Sequence, residues 1–306
     1  MKWLFISLCI TVLLTDSHAG DPYQATGIKI CEVDQTSAII WTRLTKNSKR
    51  VDKSHPMPDI LYKNPETGEL EPRRGRRDRN PIVQFPNNSG IHTIEGAVPG
   101  TLGEVRVRYA IEKSTDWKTT PWQPVDPKRD FTRQIKLTDL QPSTSYQIEV
   151  QSRSDENGQT LSGHFRTALP KDQIARIVFH VSTGQAYGDQ DAPQGGYLIY
   201  PSMLKHNPDF FVHTGDILYY DGRAKTLPLA RWHWARVFSL HTNVEFHRHV
   251  SSYFIKDDHD TWMNDSWPGQ QTQFMGEFTF EQGLAVFREQ VGMNDLTYRT
   301  VRWGKD

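Results

Sequence analysis

Three apolar segments in the second half of the chain each lead into a cluster of polar residues, and this feature constrains the fold most. The segments are "IARIVFHV" (174–181), "DFFVHTGD" (209–216) and "SSYFIKDDHD" (251–260), and helix-like sequences separate them at 195–207 and 229–250. Alternation of strand and helix predicts an α/β domain with a parallel sheet of buried strands. Because ligands of such sheets bind beyond the carboxyl ends of the strands, the polar clusters predict where the site lies.

The first half of the chain has a different pattern, in which short segments alternate apolar and polar residues. It is seen in "GIKICEVDQTSAIIWTRL" (27–44), in "EVRVRYAIEKS" (104–114) and in three segments between 133 and 168. Many short strands joined by turns predict an all-β sandwich. We assign this sandwich to residues 21–168 and interpret "ALPKDQ" (168–173) as the linker to the α/β domain.

Residues 46–103 interrupt the strand pattern and predict a long excursion from the sandwich. The segment is rich in Pro, Asn, Gly and charged residues, and it contains "RRGRRDR" (73–79), with five Arg in seven residues. Such a concentration of one charge is typical of a solvated loop, and also of a docking patch for an anionic substrate or a wall polymer. The sequence leaves both interpretations open.

The N-terminus, "MKWLFISLCITVLLTDSHAG", has a basic start, an apolar run from Trp3 to Leu14, and small residues at Ser17 and Ala19. The run is shorter than the ~20 residues that a membrane-spanning helix needs. We predict a signal peptide over residues 1–19, cleaved after Ala19, and therefore a secreted, periplasmic or extracellular protein. An uncleaved anchor is the alternative. No other run is long enough to span a membrane, so no transmembrane span is expected after cleavage.

Charge and cysteine content argue against a nucleic-acid-binding module and against a fold that depends on disulfides. The 36 Lys and Arg residues equal the 36 Asp and Glu residues in number, which argues against a nucleic-acid-binding module. Signal cleavage would remove Cys9 and leave Cys31 as the remaining thiol, so an intrachain disulfide is excluded. We expect a monomer whose fold depends on its apolar core rather than on disulfides.

Several acidic residues would meet at the carboxyl edge of the predicted parallel sheet. They are Asp216, Asp221, Asp257, Asp258 and Asp260, with Tyr219 and His259 among them. Unpaired, these carboxyl groups would repel one another, and some would take up protons. Hard cations offset such repulsion because they prefer oxygen ligands, and His and Tyr extend the set to zinc or iron. The residues therefore predict a metal site suited to phosphoryl transfer, and a cluster that merely caps the loops is the alternative.

The two richest clusters resemble the motifs of a known enzyme family. "GDILYYD" (215–221) and "YFIKDDHD" (253–260) are similar to the Gly-Asp-x-x-Tyr and Asp-Asp-His-Glu/Asp motifs of the PhoD-type alkaline phosphatases. These are secreted phosphatases and phosphodiesterases within the calcineurin-like metallophosphoesterases. "SAIIWTRL" (37–44) and the segment around Tyr146 resemble the family's N-terminal fibronectin-III-like module, with Tyr146 as the candidate for its tyrosine corner. The resemblance runs from about residue 24 to residue 303.

The resemblance implies roles for individual residues of these motifs. The implied metal ligands are Asp216, Tyr219, Asp257 and Asp258. Of these, Asp216 matches the aspartate that bridges the metals, and Tyr219 matches the tyrosine that ligates ferric iron. His259 is implied to contact the phosphate or to protonate the leaving group, and Asp260 to orient its ring. The implied cofactors are Fe³⁺ and Ca²⁺, with Zn²⁺ or Mn²⁺ as alternatives.

Two departures from the family's pattern change these expectations. The family typically has Ser-Cys-Gln or Thr-Cys-Gln after its first strand, and that Cys binds the iron; here the sequence is "STGQAY" (182–187), with Gly184 at the Cys position. Loss of the thiolate favours harder metals. The alternatives are that the ferric site is weakened, or that the chain is a non-catalytic member of the family. The family's later His-containing motifs do not appear before the chain ends at "YRTVRWGKD" (298–306). We therefore expect a fragment, with an incomplete α/β metallophosphoesterase domain over residues 174–306.

Further polar residues near the motifs are candidates for substrate contacts or for support of the ligands. They are Thr183, Gln185, Asn264 and His213. A second group of histidines lacks the i, i+4 spacing of a ligand pair on one helix face, and we interpret its members as surface or packed residues. They are His233, His241, His247 and His249.

The predicted function is hydrolysis of a phosphate mono- or diester by metal-activated water in a secreted enzyme. The alternative is a catalytically degenerate binding protein of the cell surface or periplasm on the same scaffold, as Gly184 would allow. A third possibility is a different ester on the same scaffold, such as a sulfate ester or a wall teichoic polymer.

Overall fold

A computed structural model describes residues 22–72, 80–86, 88–155 and 157–305. The predicted signal peptide (1–19) and the Arg-rich segment (73–79) lie outside the described residues. Within the described part of the chain, no helix combines the length and the apolar character that crossing a bilayer requires.

The first half of the described chain consists of short strands, as the alternating pattern predicts. In chain order they are β1 (Ile28–Cys31), β2 (Ala38–Arg43), β3 (Asp59–Lys63), β4 (Leu70–Pro72), β5 (Pro81–Gln84), β6 (Glu104–Ile111), β7 (Lys118–Thr119), β8 (Gln123–Pro124), β9 (Thr132–Leu137), β10 (Ser145–Arg153) and β11 (Asn157–Arg166). β1, β2 and β9 lie side by side in one sheet, and β11, β10, β6 and β7 form another, with β8 paired to β6.

These two sheets pack against each other around a core of buried aliphatic side chains. Ile30 and Ile40 come from one sheet, and Val107 and Ile148 come from the other. Along β10 every second residue is buried, because successive side chains of a strand point to opposite faces. The alternation read from the sequence therefore corresponds to strands with one face in a shared core.

Tyr146 makes the contact that a tyrosine corner requires. Its buried ring stacks on Phe165, with the ring centroids 5.5 Å apart. Its hydroxyl accepts a hydrogen bond from the backbone N–H of Gln141, at 2.8 Å. The side chain thereby ties the loop before β10 to the strand that follows it.

The second half alternates strands and helices. Its elements are β12 (Phe179–Ser182), α1 (Ile199–Leu204), β13 (Phe210–His213), α2 (Leu227–Phe238), α3 (His241–His247), β14 (Ser251–Phe254) and α4 (Phe280–Gln290). β12, β13 and β14 pair in parallel. The helix predicted over 229–250 is two helices, because Leu240 has an extended backbone that interrupts it. α4 begins with a capping box between Thr279 and Gln282.

The first of the three predicted parallel strands is shorter and more exposed than the sequence predicts. The segment 174–181 forms a strand only from Phe179, and β12 lies at an edge of its sheet. Phe179 is 54% exposed and Val181 is 53% exposed. The continuous apolar run predicts a strand buried on both faces, whereas among the described residues these two side chains lack a covering layer. A position at the edge of the sheet cannot be read from hydrophobicity alone.

One sheet joins the two halves of the chain. Its strand order is β12-β13-β14-β1-β2-β9, and Cys31 of β1 pairs in parallel with Ser252 of β14. The predicted linker at 168–173 therefore separates two sequence patterns but not two separate sheets. Because β1 pairs with β14, the backbone N–H and C=O groups along these two strand edges form hydrogen bonds instead of remaining unpaired.

The excursion at 46–103 forms its own small sheet and packs on the second half of the chain. β4, β3 and β5 make this three-stranded sheet. Ile94 and Ala97 belong to the buried core that also contains residues of α2 and α4. The indole N–H of Trp232 donates to the carbonyl of Glu95 at 3.0 Å. The excursion thus contributes a wall beside α2.

The carboxyl ends of the three parallel strands lie next to one another. Ser182 at the end of β12 pairs with His213, and His213 at the end of β13 pairs with Phe254. The loops that follow these residues therefore begin at one edge of the sheet, as the polar clusters predict.

Candidate metal centre

The loop after β13 runs directly against the loop after β14, and a glycine makes this approach possible. Gly215 has a φ of +110°, and a Cβ added there would lie 2.5 Å from the Cβ of Asp257. Only glycine combines this backbone conformation with so close a contact. The loop after β12 joins them, because the N–H of Gln185 donates to the carbonyl of Asp216 at 2.8 Å.

Three predicted site residues converge at this edge. Asp216, Asp258 and His259 each offer a ligand atom, and these atoms lie within 4.8 Å of one another. The hydroxyl of Tyr219 donates to Oδ2 of Asp216 at 3.1 Å. Oδ1 of Asp216 is buried and has no hydrogen-bond partner among the described residues. Because such an oxygen is costly to leave unsatisfied, a cation fits between these groups, and the oxygen-rich donor set suits a hard metal ion.

Asp258 is held in place by backbone groups of its own loop. Its Oδ1 accepts a hydrogen bond from the N–H of His259 at 2.9 Å, and its Oδ2 accepts one from the N–H of Asp265. Each oxygen keeps a lone pair for a cation. Asp257, predicted as a further ligand, is not part of the three-residue cluster found in the described chain. The exposed carboxylate of Asp257 instead accepts the backbone N–H of Asp258 at 2.9 Å. Asp257 and Asp258 are adjacent in sequence, so their side chains point in different directions.

Asp221 orients the ring of His259. Nδ1 of His259 lies 2.5 Å from Oδ2 of Asp221. Oδ1 of Asp221 accepts the backbone N–H of Asn264 at 3.1 Å, so Asn264 supports the site through its backbone. The ring of Tyr219 packs on the imidazole, with the centroids 4.6 Å apart. A carboxylate on Nδ1 fixes the tautomer and leaves Nε2 free for another partner.

The sequence assigns this orienting role to Asp260, and the structure corrects that assignment. Asp260 is buried and accepts the N–H of Ile217 at 3.0 Å and the N–H of Asp257 at 2.8 Å. It therefore ties together the loops after β13 and β14 instead of contacting the imidazole. Burial raises the pKa of Asp260 to about 7. Adjacency in sequence suggests a pairing with His259, but the folded chain brings Asp221 there from 38 residues away.

The remaining candidates lie behind the cluster and support its loops. The hydroxyl of Thr183 donates to the carbonyl of Gly215 at 3.2 Å. Gln185 is buried; its amide N–H donates to the carbonyl of Ile217 at 3.2 Å, and its Oε1 accepts the hydroxyl of Tyr200 at 2.5 Å. Their hydrogen bonds fit support of the ligands rather than contact with a substrate.

Gly184 lies where a ligand would be expected. A Cβ added at this position would come 3.5 Å from the hydroxyl of Tyr219. The side chain of residue 184 would therefore face the cluster, as the family's Cys position implies, but glycine supplies no donor atom. The site that remains is richer in oxygen than one with a thiolate.

Burial and neighbouring charges shift the acidity of the site. Burial raises the pKa of Asp216, and the carboxylates of Asp257 and Asp258 act in the same direction. Burial and Asp216 raise the pKa of Tyr219 to about 12. Burial alone would lower the pKa of His259, but the nearby carboxylates outweigh it and the pKa is raised. A metal ion would compete with these protons, so its binding would release them.

The histidines outside the cluster are packed or lie at the surface, as the sequence predicts. His233 and His247 are buried. His241 is exposed, and His249 contacts His164 with their Nδ1 atoms 3.0 Å apart. None of them belongs to a group of three possible metal ligands within the described chain.

His213 is a core residue whose burial makes stability depend on pH. It is 1% exposed, and burial lowers its pKa to about 4. The unfolded chain takes up a proton here below pH ~6.5, so stability is complete above that pH and falls as the pH drops toward 4. His213→Phe should remove about 2 kcal/mol of the difference in unfolding free energy between pH 7.5 and pH 5, measured by urea denaturation.

The matched control for this prediction is His241→Phe, because an exposed ring is not desolvated on folding. An unchanged pH dependence in His213→Phe would contradict the prediction. Other buried histidines, such as His233 and His247, keep part of the pH dependence in the variant, because burial lowers the pKa of each.

Comparisons with known proteins identify the fold. No protein-family profile matches the chain, and no curated protein matches its sequence. Among solved structures, PhoD superposes with a TM-score of 0.60 at 16% identity, covering 90% of this chain and 47% of PhoD. The purple acid phosphatase PPD1 from seeds of yellow lupin (Lupinus luteus) superposes with a TM-score of 0.51 at 10% identity, covering 88% of this chain and 41% of that enzyme.

The chain therefore shares the fold of these two solved structures over most of its length. It spans less than half of either of those two proteins. Identities this low establish a shared fold, and they leave the reaction to be argued from the residues of this chain.

Asp221 is the site residue whose role the sequence did not predict. It is one of the five acids predicted at the sheet edge, but the resemblance implies no individual role for it. Its neighbour Tyr220 is buried, and the hydroxyl of Tyr220 accepts the indole N–H of Trp234 at 2.5 Å. The available signal for Asp221 was a second carboxylate in the same polar cluster as Asp216.

Proposed function

We propose that this chain carries the metal-binding part of the active site of a secreted phosphoester hydrolase that acts on phosphate mono- or diesters. The observation that supports the proposal is the convergence of Asp216, Asp258 and His259 around a buried, unpartnered carboxylate oxygen. They converge at the carboxyl edge of a sheet whose fold resembles PhoD and a purple acid phosphatase. Secretion is proposed from the sequence of residues 1–19 alone.

The residues of the site would have different roles in such a reaction. Asp216 and Asp258 would hold the metal, and Tyr219, already bonded to Asp216, would add a phenolate oxygen. A bound metal ion would supply an activated water and offset charge on the phosphoryl group. His259, held through Nδ1 by Asp221, would present Nε2 to a phosphate oxygen or to the leaving group. Its raised pKa favours the protonated form that a proton donor needs.

The donor set favours oxygen-preferring cations. Resemblance to the PhoD-type enzymes implies Fe³⁺ and Ca²⁺, and Tyr219 is the residue that suits ferric iron. Gly184 provides no thiolate, which favours harder ions over a site of the cysteine type. We propose Ca²⁺ or Fe³⁺ as the resident ions, with Mn²⁺ and Zn²⁺ as the alternatives to test.

The test is removal and return of metal. The purified chain is stripped with EDTA, and hydrolysis of 4-nitrophenyl phosphate and bis(4-nitrophenyl) phosphate is measured before and after addition of each of the four ions. Activity should fall to background on chelation and return with at least one ion. Circular dichroism serves as the control that chelation has not unfolded the chain. Hydrolysis that chelation leaves unchanged would contradict the metal mechanism.

Gly184 favours a second candidate, a binding protein on the same scaffold that has lost catalysis. Without a side chain at that position the cluster has fewer donors than a complete two-metal site would have. Metal analysis and substrate screening separate the two candidates. A binding protein would hydrolyse none of a panel of phosphate esters, sulfate esters and teichoic polymers under any metal condition.

A further inference from the structure

A pocket of about 400 Å³ opens beside the candidate metal centre. Tyr219 and Asp221 form part of its wall, so it adjoins the cluster directly. Its lining comes from the excursion, from the loops after β12 and β13, and from α2; it comprises Met57, Ala186, Tyr187, Gly188, Leu218, Tyr219, Asp221, Arg223 and Arg236. A space of this size can hold an aryl or short acyl group.

Arg236 is a buried cation in the wall of this pocket. The residue is 5% exposed, and in the described part of the chain it forms no ion pair with a carboxylate. The guanidinium lies between the rings of Tyr187 and Trp232, at 4.3 and 4.2 Å from their centroids. Nη2 contacts Nδ1 of His233 at 2.9 Å, but Nε has no hydrogen-bond partner among the described residues. A buried charge in this state is costly unless an anion reaches it.

The carboxylate of Glu95 lies on this side of the pocket and already interacts with other groups. Oε1 of Glu95 accepts the hydroxyl of Tyr187 at 3.0 Å and lies 3.8 Å from Nη2 of Arg50. Arg223 adds a second guanidinium to the wall; it is exposed, and its side chain forms no hydrogen bond or ion pair with the residues that the structure describes. The pocket therefore combines two cationic groups with no acid committed to either, since Asp221 is bonded to His259.

We propose that this pocket binds a second anionic group, a carboxylate or a phosphate, on the organic part of the substrate, through Arg236 and Arg223. The inference rests on the proposed phosphoester function, because the first phosphate would occupy the adjacent metal centre. Guanidinium groups bind carboxylate and phosphate oxygens through paired N–H donors. The rings and Met57 would surround the carbon skeleton that joins the two anions.

The experiment compares ligands that differ in one charge and cannot be hydrolysed. Binding of 4-carboxyphenylphosphonate, its uncharged 4-carbamoyl analogue and 1,4-phenylenebisphosphonate is measured by calorimetry on the full chain with Mn²⁺. The carboxylate or the second phosphonate should bind about 10- to 100-fold more tightly than the carbamoyl analogue, as expected for hydrogen bonds to a charged group. The better of the two charged ligands identifies which anion the pocket prefers.

Two variants assign this preference to the pocket. Arg236→Gln and Arg223→Gln should each reduce the preference for the charged ligand and leave the affinity for the carbamoyl analogue unchanged. Arg223 is exposed, so its variant tests the inference even where Arg236→Gln fails to fold. Exposed Arg129, on the sandwich side of the chain, gives the matched control Arg129→Gln.

Equal affinities for charged and uncharged ligands would overturn the inference, as would a preference that survives in both pocket variants or the absence of binding by all three ligands. Binding of these phosphonates does not require hydrolysis. A failure of the proposed hydrolase function would therefore be detected separately, in the hydrolysis assay.

Discussion

Asp216→Asn is expected to weaken metal binding by at least about 100-fold while leaving the metal-free protein no less stable than the wild type. Loss of a ligand costs more than the 10- to 100-fold typical of residues that only support ligands. In the metal-free chain, however, the buried Oδ1 of Asp216 has no partner among the described residues. Burial and neighbouring acids raise the pKa of Asp216, so its charge opposes folding near neutral pH, and the amide removes that charge.

Urea denaturation with and without metal measures both effects. At a metal concentration 100 times the dissociation constant, the wild type should gain about 2.7 kcal/mol of stability, and Asp216→Asn at the same concentration should gain well under half of that. Asp116→Asn is the matched control, because Asp116 is an exposed acid in the turn after β6. Equal stabilisation of Asp216→Asn and the wild type would exclude Asp216 as a ligand. A metal-free variant clearly less stable than the wild type would contradict the argument from its buried charge.

Gly215→Ala should destabilise the protein by about 3–5 kcal/mol and displace the loop that carries Asp216. The φ of +110° is strained for any residue with a Cβ. The added methyl would also lie 2.5 Å from Cβ and 3.2 Å from the backbone N of Asp257. Strain and overpacking each cost about 1–3 kcal/mol, and the loops after β13 and β14 can relieve the clash only by moving apart.

Gly269→Ala separates these two causes. Gly269 also has a positive φ, of +80°, but a Cβ there meets no atom within 4 Å. This variant should therefore lose only about 1 kcal/mol, from the backbone strain. The measurement is urea denaturation of both variants, followed by metal titration of Gly215→Ala. A loss in Gly215→Ala no larger than in Gly269→Ala would mean that the two loops do not approach as closely as described.

Much of the candidate site could be predicted because strand direction and residue type determine it. Buried parallel strands place their carboxyl ends at one edge, so Asp216 and Asp258 meet wherever the sheet forms. The partner of His259 could not be predicted in this way. Asp260 is its neighbour in sequence, but the side chain that reaches Nδ1 belongs to Asp221. Which of several nearby acids makes the contact depends on loop conformations that no periodicity encodes.

The pocket beside the metal centre was not predictable at all. It combines Arg236 from a helix, Arg223 from a loop and Met57 from the excursion, three segments with no common pattern in the sequence. The same holds for the sheet that joins both halves of the chain, because the pairing of Cys31 with Ser252 links residues far apart in sequence. Contacts of this kind follow from how complete elements pack.

The sequence by itself determined the local properties of this protein: the alternating strands of the first half, the strand–helix alternation of the second, and the set of acids that end the parallel strands. These follow from hydrophobic periodicity and residue chemistry, which act over a few neighbouring residues. Only the tertiary structure decided that β12 is an exposed edge strand and that Asp221 rather than Asp260 holds the ring of His259. It also decided that Arg236 is buried without forming an ion pair with a carboxylate of the described chain. Each of these depends on which surfaces meet in space, and the free energy of such contacts is set by the whole packed fold.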